Sequence, residues 1–366
     1  MADTTDAPPH RDDAVVLSID GMGAERGYGA LIGGLNKSAH KNDRIRYILH
    51  GPEAELAPLL ARHPGLQART DLRDVSKAVS MGEKPSRALR AGKDSSMWRA
   101  LETVENGEAT VAVSCGNTGA LMAMAMLRLR RAPGVDRPAI AVLWPSRNPA
   151  GYNVVLDVGA DIKANAHDLM THAVMGASYA RNGLDLARPR VGLLNVGTEE
   201  HKGRAELHDA AELIEAAAPR GDFEYVGFVE GSDISGTNVD IIVTDGFSGN
   251  IALKTAEGTA ALIRDLLNDA FRHSPFSRLG ALFALTSLRR LSKRIDPRRV
   301  NGGVFLGLNG TVVKSHGSAD ATGISAAIKL AFTLAQNGFS EKLAARVASQ
   351  APPRQTAGQE QKSEAF

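Results

Sequence analysis

A turn bracketed by two glycines, Gly116-Asn117-Thr118-Gly119, follows an apolar stretch that ends at Ser114. Glycine lets the backbone approach a ligand closely, and the first turn of a following helix offers unpaired N–H groups and the positive end of the helix dipole. This pattern is typical of sites that bind phosphate or another anion. It also occurs in strand-to-helix crossovers where the turn serves only packing, so the turn alone leaves both interpretations open.

Four other segments carry polar side chains that could bind an anion or move a proton. These groups are, in chain order, Asp157, Asn195, Asp245, Asn250, Lys254, Lys314, Ser315 and His316. Any one of them could instead cap a helix or close a tight turn. Their number favours a shared site in which lysine ammoniums, asparagine amides and an imidazole act together.

The single cysteine, Cys115, lies inside the glycine-bracketed region. We interpret it as a small residue that packs the turn rather than as a nucleophile. One cysteine excludes an internal disulfide framework, and no His/Cys spacing typical of zinc is present. The sequence therefore predicts a protein of a reducing compartment, with no metal and no cofactor.

Nine short apolar stretches are predicted to be strands. They are 15–19, 45–49, 110–114, 139–144, 154–156, 191–195, 225–229, 240–244 and 304–308. Most are continuously apolar, which is typical of strands covered on both faces. Helical patterns such as 168–181 and 256–271 alternate with them. This alternation predicts an α/β fold with a doubly wound, largely parallel sheet and helices on both faces.

Ligands of such sheets bind beyond the carboxyl ends of the strands. The polar residues that follow the predicted strands are Asp20, Ser114, Asp157, Asn195, Glu230 and Asp245. We therefore expect these residues to lie around the ligand site.

Composition limits the class of protein. The chain has 366 residues, 43% hydrophobic content and a net charge of +2, so a large core is available and nucleic-acid binding is not indicated. Residues 1–12 and 350–366 are polar and are predicted to be disordered tails around a single catalytic domain, 13–345. The polar N-terminus lacks the apolar run of a signal peptide, which predicts a cytoplasmic protein.

One basic and hydrophobic segment, 271–299, is predicted to be helical. Phe276, Leu279, Leu282 and Phe283 share one helical arc, and Arg289 and Arg290 follow them. The segment is too short and too charged to span a bilayer. It fits an anionic membrane surface or an acidic carrier protein, and a buried hairpin at a dimer interface is the alternative.

Six motifs in order resemble the bacterial phosphate acyltransferase family of phospholipid synthesis, over roughly residues 14–335. They are Ser-x-Gly-Asn-Thr-Gly-Ala-Leu-Met-Ala (114–123), Leu-Asp-Val-Gly-Ala (156–160), Arg-Val-Gly-Leu-Leu-Asn-Val-Gly-x-Glu (190–199), Val-Glu-Gly-x-Asp-Ile (229–234), Thr-Asp-Gly-Phe-x-Gly-Asn-x-x-Leu-Lys-Thr-x-Glu-Gly (244–258) and Lys-Ser-His-Gly-Ser-x-Asp (314–320). The family's opening motif, Asp-Ala-Met-Gly-Gly-Asp, stands here as Asp20-Gly21-Met22-Gly23-Ala24-Glu25. This departure leaves the role of Glu25 open.

The resemblance implies a fold similar to the phosphotransacetylase and isopropylmalate dehydrogenase group. It also implies transfer of a fatty acyl group from acyl carrier protein to inorganic phosphate. The acyl phosphate product then serves a downstream glycerol-3-phosphate acyltransferase. Members of the family are typically homodimers, so a homodimer is expected here. The fatty acyl substrate and product imply contact with an anionic membrane surface on the inner face of the cell membrane.

Phosphate is itself a nucleophile, so this chemistry needs an anion cradle and an oxyanion stabiliser but no protein nucleophile. The predicted catalytic residues are Asn250, Lys254, Lys314 and His316. The predicted phosphate-binding residues are Gly116, Asn117, Thr118, Gly119, Asp245, Gly249 and Ser315. Orienting roles are assigned to Asp20, Asp157 and Asn195, because a carboxylate beside phosphate repels it unless it orients another group.

Three alternatives remain open at the level of sequence. The first is a phosphotransacetylase that acts on short acyl-CoA. The second is a nicotinamide-dependent decarboxylating dehydrogenase, although no Gly-x-Gly-x-x-Gly occurs in a strand-turn-helix context. The third is a non-catalytic scaffold on a membrane surface, whose function would reside in 271–299 alone.

Overall fold

The computed structural model describes residues 14–199, 201–295 and 302–350. The tails predicted at 1–12 and 350–366 lie outside this range, apart from Gln350. The described strands are β1 (Val15–Asp20), β2 (Ile45–Gly51), β3 (Thr70–Asp74), β4 (Val111–Ser114), β5 (Ala139–Pro145), β6 (Tyr152–Leu156), β7 (Arg190–Leu194), β8 (Glu224–Val229), β9 (Ile241–Val243), β10 (Gly303–Leu306) and β11 (Thr311–Lys314). All nine predicted strands are present.

The described helices include a long pair late in the chain and a terminal helix that ends beyond the predicted domain boundary at 345. They are α1 (Gly27–Lys41), α2 (Glu53–Leu60), α3 (Pro64–Gln67), α4 (Pro85–Ala91), α5 (Ser96–Glu105), α6 (Thr118–Arg128), α7 (Ala166–Leu184), α8 (Ala205–Gly221), α9 (Gly246–Arg272), α10 (Pro275–Ile295), α11 (Ala321–Gln336) and α12 (Phe339–Gln350). The helix predicted at 256–271 begins ten residues earlier, at Gly246. Its N-cap is Asp245, whose side chain accepts a hydrogen bond from the N–H of Ser248.

All the described strands form one sheet in the order β3-β2-β1-β4-β11-β10-β5-β6-β9-β7-β8. Most neighbours are parallel, as predicted, but β10 pairs antiparallel with both β11 and β5, and β5 pairs antiparallel with β6. The three reversals leave β1–β4 and β11 running in one direction and β6–β9 in the other. The carboxyl ends of the strands in one group therefore lie on the same side of the sheet as the amino ends of the strands in the other group. Below, these two sides are called opposite edges.

Helices cover both faces of the sheet, which confirms the predicted fold class. Alternate residues of each strand point to different layers: Leu17 and Ile19 of β1 pack with the cluster under α1, α7 and α11, whereas Ser18 faces α5. Side chains of α5 and α6 form the second cluster, which residues 252, 253 and 256 of α9 also contact. Burial on both faces explains why the strands are continuously apolar.

Two strands were missed by the sequence analysis. The edge strand β3 has the sequence Thr-Asp-Leu-Arg-Asp and lacks an apolar run, since much of it faces solvent. The strand β11 has only four residues and ends in a lysine, yet it lies near the centre of the sheet beside β4. Its pairing places Lys314 directly opposite Ser114.

The helices α9 and α10 contact each other and leave much of their apolar surface exposed. Only Gly246 and Gly249 of α9 are buried. Phe276 and Phe283 of α10 are 86% and 82% exposed. The predicted helical segment 271–299 is helical over 275–295, and 296–299 lie outside the described residues. None of the described helices is long and apolar enough to cross a membrane.

Candidate functional site

A buried network around Asp20 anchors the glycine-bracketed turn. Asp20 ends β1 and is 2% exposed. Its Oδ1 accepts a hydrogen bond from Ser96 Oγ at 2.5 Å, and its Oδ2 accepts one from Ser114 Oγ at 2.6 Å. Ser114 Oγ in turn accepts from the backbone N–H of Gly116 at 3.0 Å. These bonds join Asp20 to the start of the 116–119 turn, and the orienting role assigned to Asp20 stays a prediction.

Lys314 ends β11 next to this network and is 9% exposed. Its Nζ donates to the backbone carbonyls of Cys115 and Ser315. An ammonium has three N–H donors, so one remains for a ligand. Burial lowers the pKa of Lys314, and the charge of Lys254 lowers it further, whereas the Cys115 thiol and the carboxylates of Asp20 and Glu25 raise it. Lys314 is therefore a buried, partly compensated cation.

Three loops meet beside Lys314. The backbone N–H of Glu25 donates to the carbonyl of Gly317 at 2.9 Å, which joins the loop after β1 to the loop after β11. Gly23 lies so close to the loop after β4 that a Cβ atom there would be 2.4 Å from the nitrogen of Gly116. The retained glycine of the opening motif is thus required by close backbone approach.

The amino end of α6 offers backbone donors to solvent. The N–H groups of Asn117, Thr118 and Gly119 have no hydrogen-bond partner in the part of the chain that the structure describes. Thr118 and Gly119 are exposed. Three N–H groups at the positive end of a helix, near a lysine, form a cradle for an anion.

The side chain of Asn117 is engaged within the protein. Its Oδ1 accepts from the N–H of Ala120 at 3.0 Å, so it is the N-cap of α6. Its Nδ2 donates to the carbonyls of Met81 at 2.8 Å and Glu83 at 2.9 Å. The side chain of Asn117 therefore joins the start of α6 to the 80–83 loop, which leaves its backbone N–H for a ligand.

Ser315 and His316 follow Lys314 but face different surroundings. Ser315 is fully buried, and its N–H donates to the carbonyl of Ser114 at 2.9 Å. His316 is exposed, and its Nδ1 accepts from the N–H of Ser318 at 3.2 Å. In the tautomer that carries its proton on Nε2, Nδ1 can accept this bond, so the contact fits the interpretation of His316 as a residue that caps the turn after Lys314.

The second group of predicted residues lies where β6, β7 and β9 end. Asp157 is fully buried, and its carboxylate accepts backbone N–H bonds from Ile140, Gly159, Ala160 and Asp161 at 2.6–3.1 Å. These donors satisfy the carboxylate completely. Asp157 therefore shapes the 157–161 turn, which supports a structural or orienting role.

Asp245 and Gly249 attach the start of α9 to this turn. Asp245 Oδ1 accepts from the N–H of Ser248 at 2.7 Å, and its Oδ2 binds Arg204 at 2.6 Å. The N–H of Gly249 donates to the carbonyl of Asp245. The first amides of α9 are thus occupied, and a carboxylate lies among them, so this helix end is a weaker anion site than α6.

Asn195 organises the loop after β7. Its Oδ1 accepts from the N–H of Val196 at 2.8 Å, and its Nδ2 donates to the carbonyl of Lys202 at 3.0 Å. These bonds close the 195–203 loop. The side chain of Asn195 therefore holds the backbone of this loop in place, and both of its polar atoms are used for that.

The helix α9 connects the two groups. Asn250 is exposed and lies 3.7 Å from the position of a Cβ atom on Gly159, and Lys254 follows one turn later on the same side of the helix. Lys254 Nζ binds Glu257 at 2.7 Å. The positive charge of Lys254 lowers the pKa of Lys314. Lys254 is the predicted residue of α9 that the structure places near the Lys314 cluster.

The expectation that the strand-end residues surround one site is therefore wrong in part. Each residue does follow the carboxyl end of its strand, but the antiparallel relation of the two strand groups separates them. The structure brings together Asp20, Ser114, the 116–119 turn, Lys314–His316 and Lys254. It leaves Asp157, Asn195, Glu230 and Asp245 at the opposite edge. Sequence reasoning missed Ser96, whose only local signal is the Ser-Ser pair that begins α5.

The comparisons with known proteins agree with this architecture. The fatty acid synthesis protein family matches residues 15–342. The chain is 66% identical over 342 residues to a phosphate acyltransferase from Dinoroseobacter shibae, covering 93% of this chain and 89% of that protein. It is 64% identical over 349 residues to a phosphate acyltransferase from Paracoccus denitrificans, covering 95% and 94%.

A solved structure shares the fold. A phosphotransacetylase from Streptococcus pyogenes superposes with a TM-score of 0.59 at 17% identity, over 88% of this chain and 94% of that one. At this identity the likeness concerns the fold alone. It confirms the predicted similarity to the phosphotransacetylase group.

Proposed function

Because this chain belongs to the fatty acid synthesis protein family, we propose that it is a phosphate acyltransferase that moves a long-chain fatty acyl group from acyl carrier protein to inorganic phosphate. The family resemblance predicted from the six motifs is confirmed. The observation that carries the proposal is the buried ammonium of Lys314 beside the unpartnered N–H groups at the start of α6.

The anion site supports phosphate as the acceptor. Lys314, the N–H groups of 117–119 and Lys254 supply positive charge and donors from three elements. Low local dielectric strengthens the attraction between the Lys314 ammonium and a phosphate oxygen. Burial lowers the pKa of Lys314. A bound phosphate dianion raises it again, because an opposite charge favours the protonated form.

The proposed chemical step is direct attack on the thioester. A phosphate oxygen forms a bond to the carbonyl carbon, and the tetrahedral oxyanion receives a hydrogen bond from His316 Nε2–H. The C–S bond then breaks, and the proton lost by hydrogen phosphate ends on the carrier thiol, so acyl phosphate and free thiol are the products. Burial leaves Cys115 2% exposed and raises its pKa to about 11, which supports a mechanism without a covalent acyl-cysteine.

The function is tested by incubating the purified protein with long-chain acyl carrier protein and inorganic phosphate. We expect acyl phosphate and free carrier thiol to appear in equal amounts. Short and long acyl-CoA are assayed in parallel, because a preference for short acyl-CoA would identify a phosphotransacetylase instead. Absence of both products from every donor would remove the proposal. Activity that requires NAD and a divalent metal would favour the dehydrogenase alternative.

Two substitutions on α9 test the site. Asn250 lies one turn before Lys254 on the same side of α9. We propose that both donate in the transition state, so Asn250→Ala and Lys254→Ala are each expected to lower acyl phosphate formation by over about tenfold, a loss of at least about 1.4 kcal/mol. Both side chains are exposed, so the folded state is expected to persist. Lys342→Ala, on the exposed side of α12, is the matched control. Wild-type turnover in both α9 variants would refute the assignment.

We further propose that the α9–α10 pair is a membrane contact. Phe276, Leu279, Leu282 and Phe283 are all more than half exposed, and the basic Arg278 lies among them. Arg289 and Arg290 belong to α10, but their side chains lie outside the described part. A peripheral enzyme at the inner face of the membrane would release acyl phosphate close to a glycerol-3-phosphate acyltransferase. We also propose a homodimer, as the resemblance implies.

The membrane contact is tested with the variant Phe276→Ser/Phe283→Ser. We expect its affinity for anionic phospholipid vesicles to fall by at least about a hundredfold, because full burial of a phenylalanine side chain contributes about 1.5–3 kcal/mol. Sedimentation at a series of lipid concentrations measures the change. Leu213→Ser, an exposed leucine of α8, is the control. Equal sedimentation of wild type and double variant, with loss of affinity for acyl carrier protein, would assign the surface to the carrier instead.

A further inference from the structure

Two adjacent buried serines begin α5 and have different partners. Ser95 is the N-cap, and its Oγ accepts from the N–H of Trp98 at 3.2 Å. Ser96 is 1% exposed and donates instead to Asp20 Oδ1 at 2.5 Å. A helix needs one N-cap side chain. The hydroxyl of Ser96 therefore serves Asp20 rather than the helix.

The attachment of α5 to the sheet does not depend on Ser96. Met97, Trp98 and Leu101 of α5 pack in the second core cluster. Thr103, at the other end of the helix, binds the buried His50 ring at 2.9 Å, and His50 contacts Ser18 of β1. The loss of one hydroxyl at Ser96 thus leaves the packing of α5 in place.

We propose that Ser96 is a positioning residue: its hydroxyl holds the Asp20 carboxylate in the orientation that places its charge behind Ser114 and Lys314, and this supports phosphate binding. This inference rests on the proposed function, since it concerns the same anion site. Each oxygen of Asp20 is bound by one serine hydroxyl, Ser96 on Oδ1 and Ser114 on Oδ2. The other donor to Oδ1 is the N–H of Met22 at 3.2 Å.

The electrostatic consequence follows from the groups that face Lys314. Burial lowers the pKa of Lys314 most; Cys115, Asp20 and Glu25 raise it, and Lys254 lowers it. A buried carboxylate that loses a short hydrogen bond can turn away from its position. Removal of the Ser96 hydroxyl therefore moves the Asp20 charge away from Lys314, and Lys314 loses its proton at a lower pH.

The test compares Ser96→Ala with Ser95→Ala in the full-length enzyme. Initial rates are measured against phosphate concentration across the alkaline range. In Ser96→Ala we expect the KM for phosphate to rise about fivefold at neutral pH, with a smaller change in kcat, because a charge-assisted hydrogen bond behind the binding cation is lost. We also expect the alkaline limb of the profile to move to lower pH by roughly half a unit.

The control separates positioning from stability. Ser95→Ala removes a helix cap and is expected to lower the melting temperature while leaving the alkaline limb in place. Ser96→Cys fills nearly the same space with a weaker donor, and it is expected to move the limb in the same direction by a smaller amount. An unchanged limb in the Ser96 variants that fold, or an equal shift in Ser95→Ala, would overturn the inference.

Calorimetry with inorganic phosphate distinguishes failure of this inference from failure of the proposed function. If the wild type forms no acyl phosphate but binds phosphate, the proposed function fails, and the effect of Ser96→Ala on the pH dependence of binding still decides the inference. If the wild type turns over and phosphate binding by Ser96→Ala matches it at every pH, only the inference fails.

Discussion

Replacing Lys314 by methionine is expected to lower acyl phosphate formation by about a hundredfold or more, a loss of about 2.7 kcal/mol of transition-state stabilisation. Lys314 is the buried cation of the proposed anion site, and its Nζ binds two carbonyls. An ammonium has three donors, so the third is the one we propose for phosphate. Methionine fills a similar volume without the charge, but the carbonyls of Cys115 and Ser315 lose a donor, so the variant is expected to be less stable than the wild type. Circular dichroism identifies the temperature range in which the variant is folded, and the rates are compared there.

The pH profile identifies the cause of the loss. Because burial lowers the pKa of Lys314, the wild type is expected to lose activity as the pH rises through that lowered value, where the charged form disappears. The variant has no ammonium at this position, so its residual activity is expected to lack that limb. Lys342→Met is the matched surface control. A Lys314→Met enzyme with wild-type rate and the same alkaline limb would show that phosphate is held elsewhere.

Replacing Gly249 by alanine is expected to destabilise the protein by about 2–3 kcal/mol or more. A Cβ atom at this position would lie 1.9 Å from the carbonyl oxygen of Asp157 and 2.9 Å from Thr244 Cγ2, so the backbone must move. The movement would separate α9 from the 157–161 turn. Activity is expected to fall with stability, because Asn250 and Lys254 are carried by the same helix.

Gly258→Ala provides the matched control for this prediction. Gly258 lies on the same helix, and nothing is within 4 Å of the position of its Cβ atom. Alanine there is expected to be neutral or to stabilise the protein by up to about 1 kcal/mol, because alanine favours helix more than glycine does. Urea unfolding of both variants gives the comparison. Equal stabilities would contradict the close approach of α9 to β6.

The local sequence was sufficient to predict those strands and helix ends that depend only on residues close together along the chain. The nine predicted strands are present because continuous apolar runs of β-branched and aliphatic residues must be buried on both faces. The start of α6 at the glycine-bracketed turn was also predicted correctly, because the capping preference of asparagine and the freedom of glycine act within a few residues. The strand β11 was missed because four residues ending in lysine carry too little pattern.

The candidate site depends partly on the local sequence and partly on the tertiary structure. The sequence alone determined the motifs, the start of α6 and which residue types are suited to bind an anion, since each depends on neighbours along the chain. Only the tertiary structure decided which of them meet. The reversals at β10 and β5 separate Asp157 and Asp245 from Asp20, and the contact of Ser96 with Asp20 spans 76 residues. Strand direction and such contacts arise from the packing of the whole sheet, which no local pattern encodes.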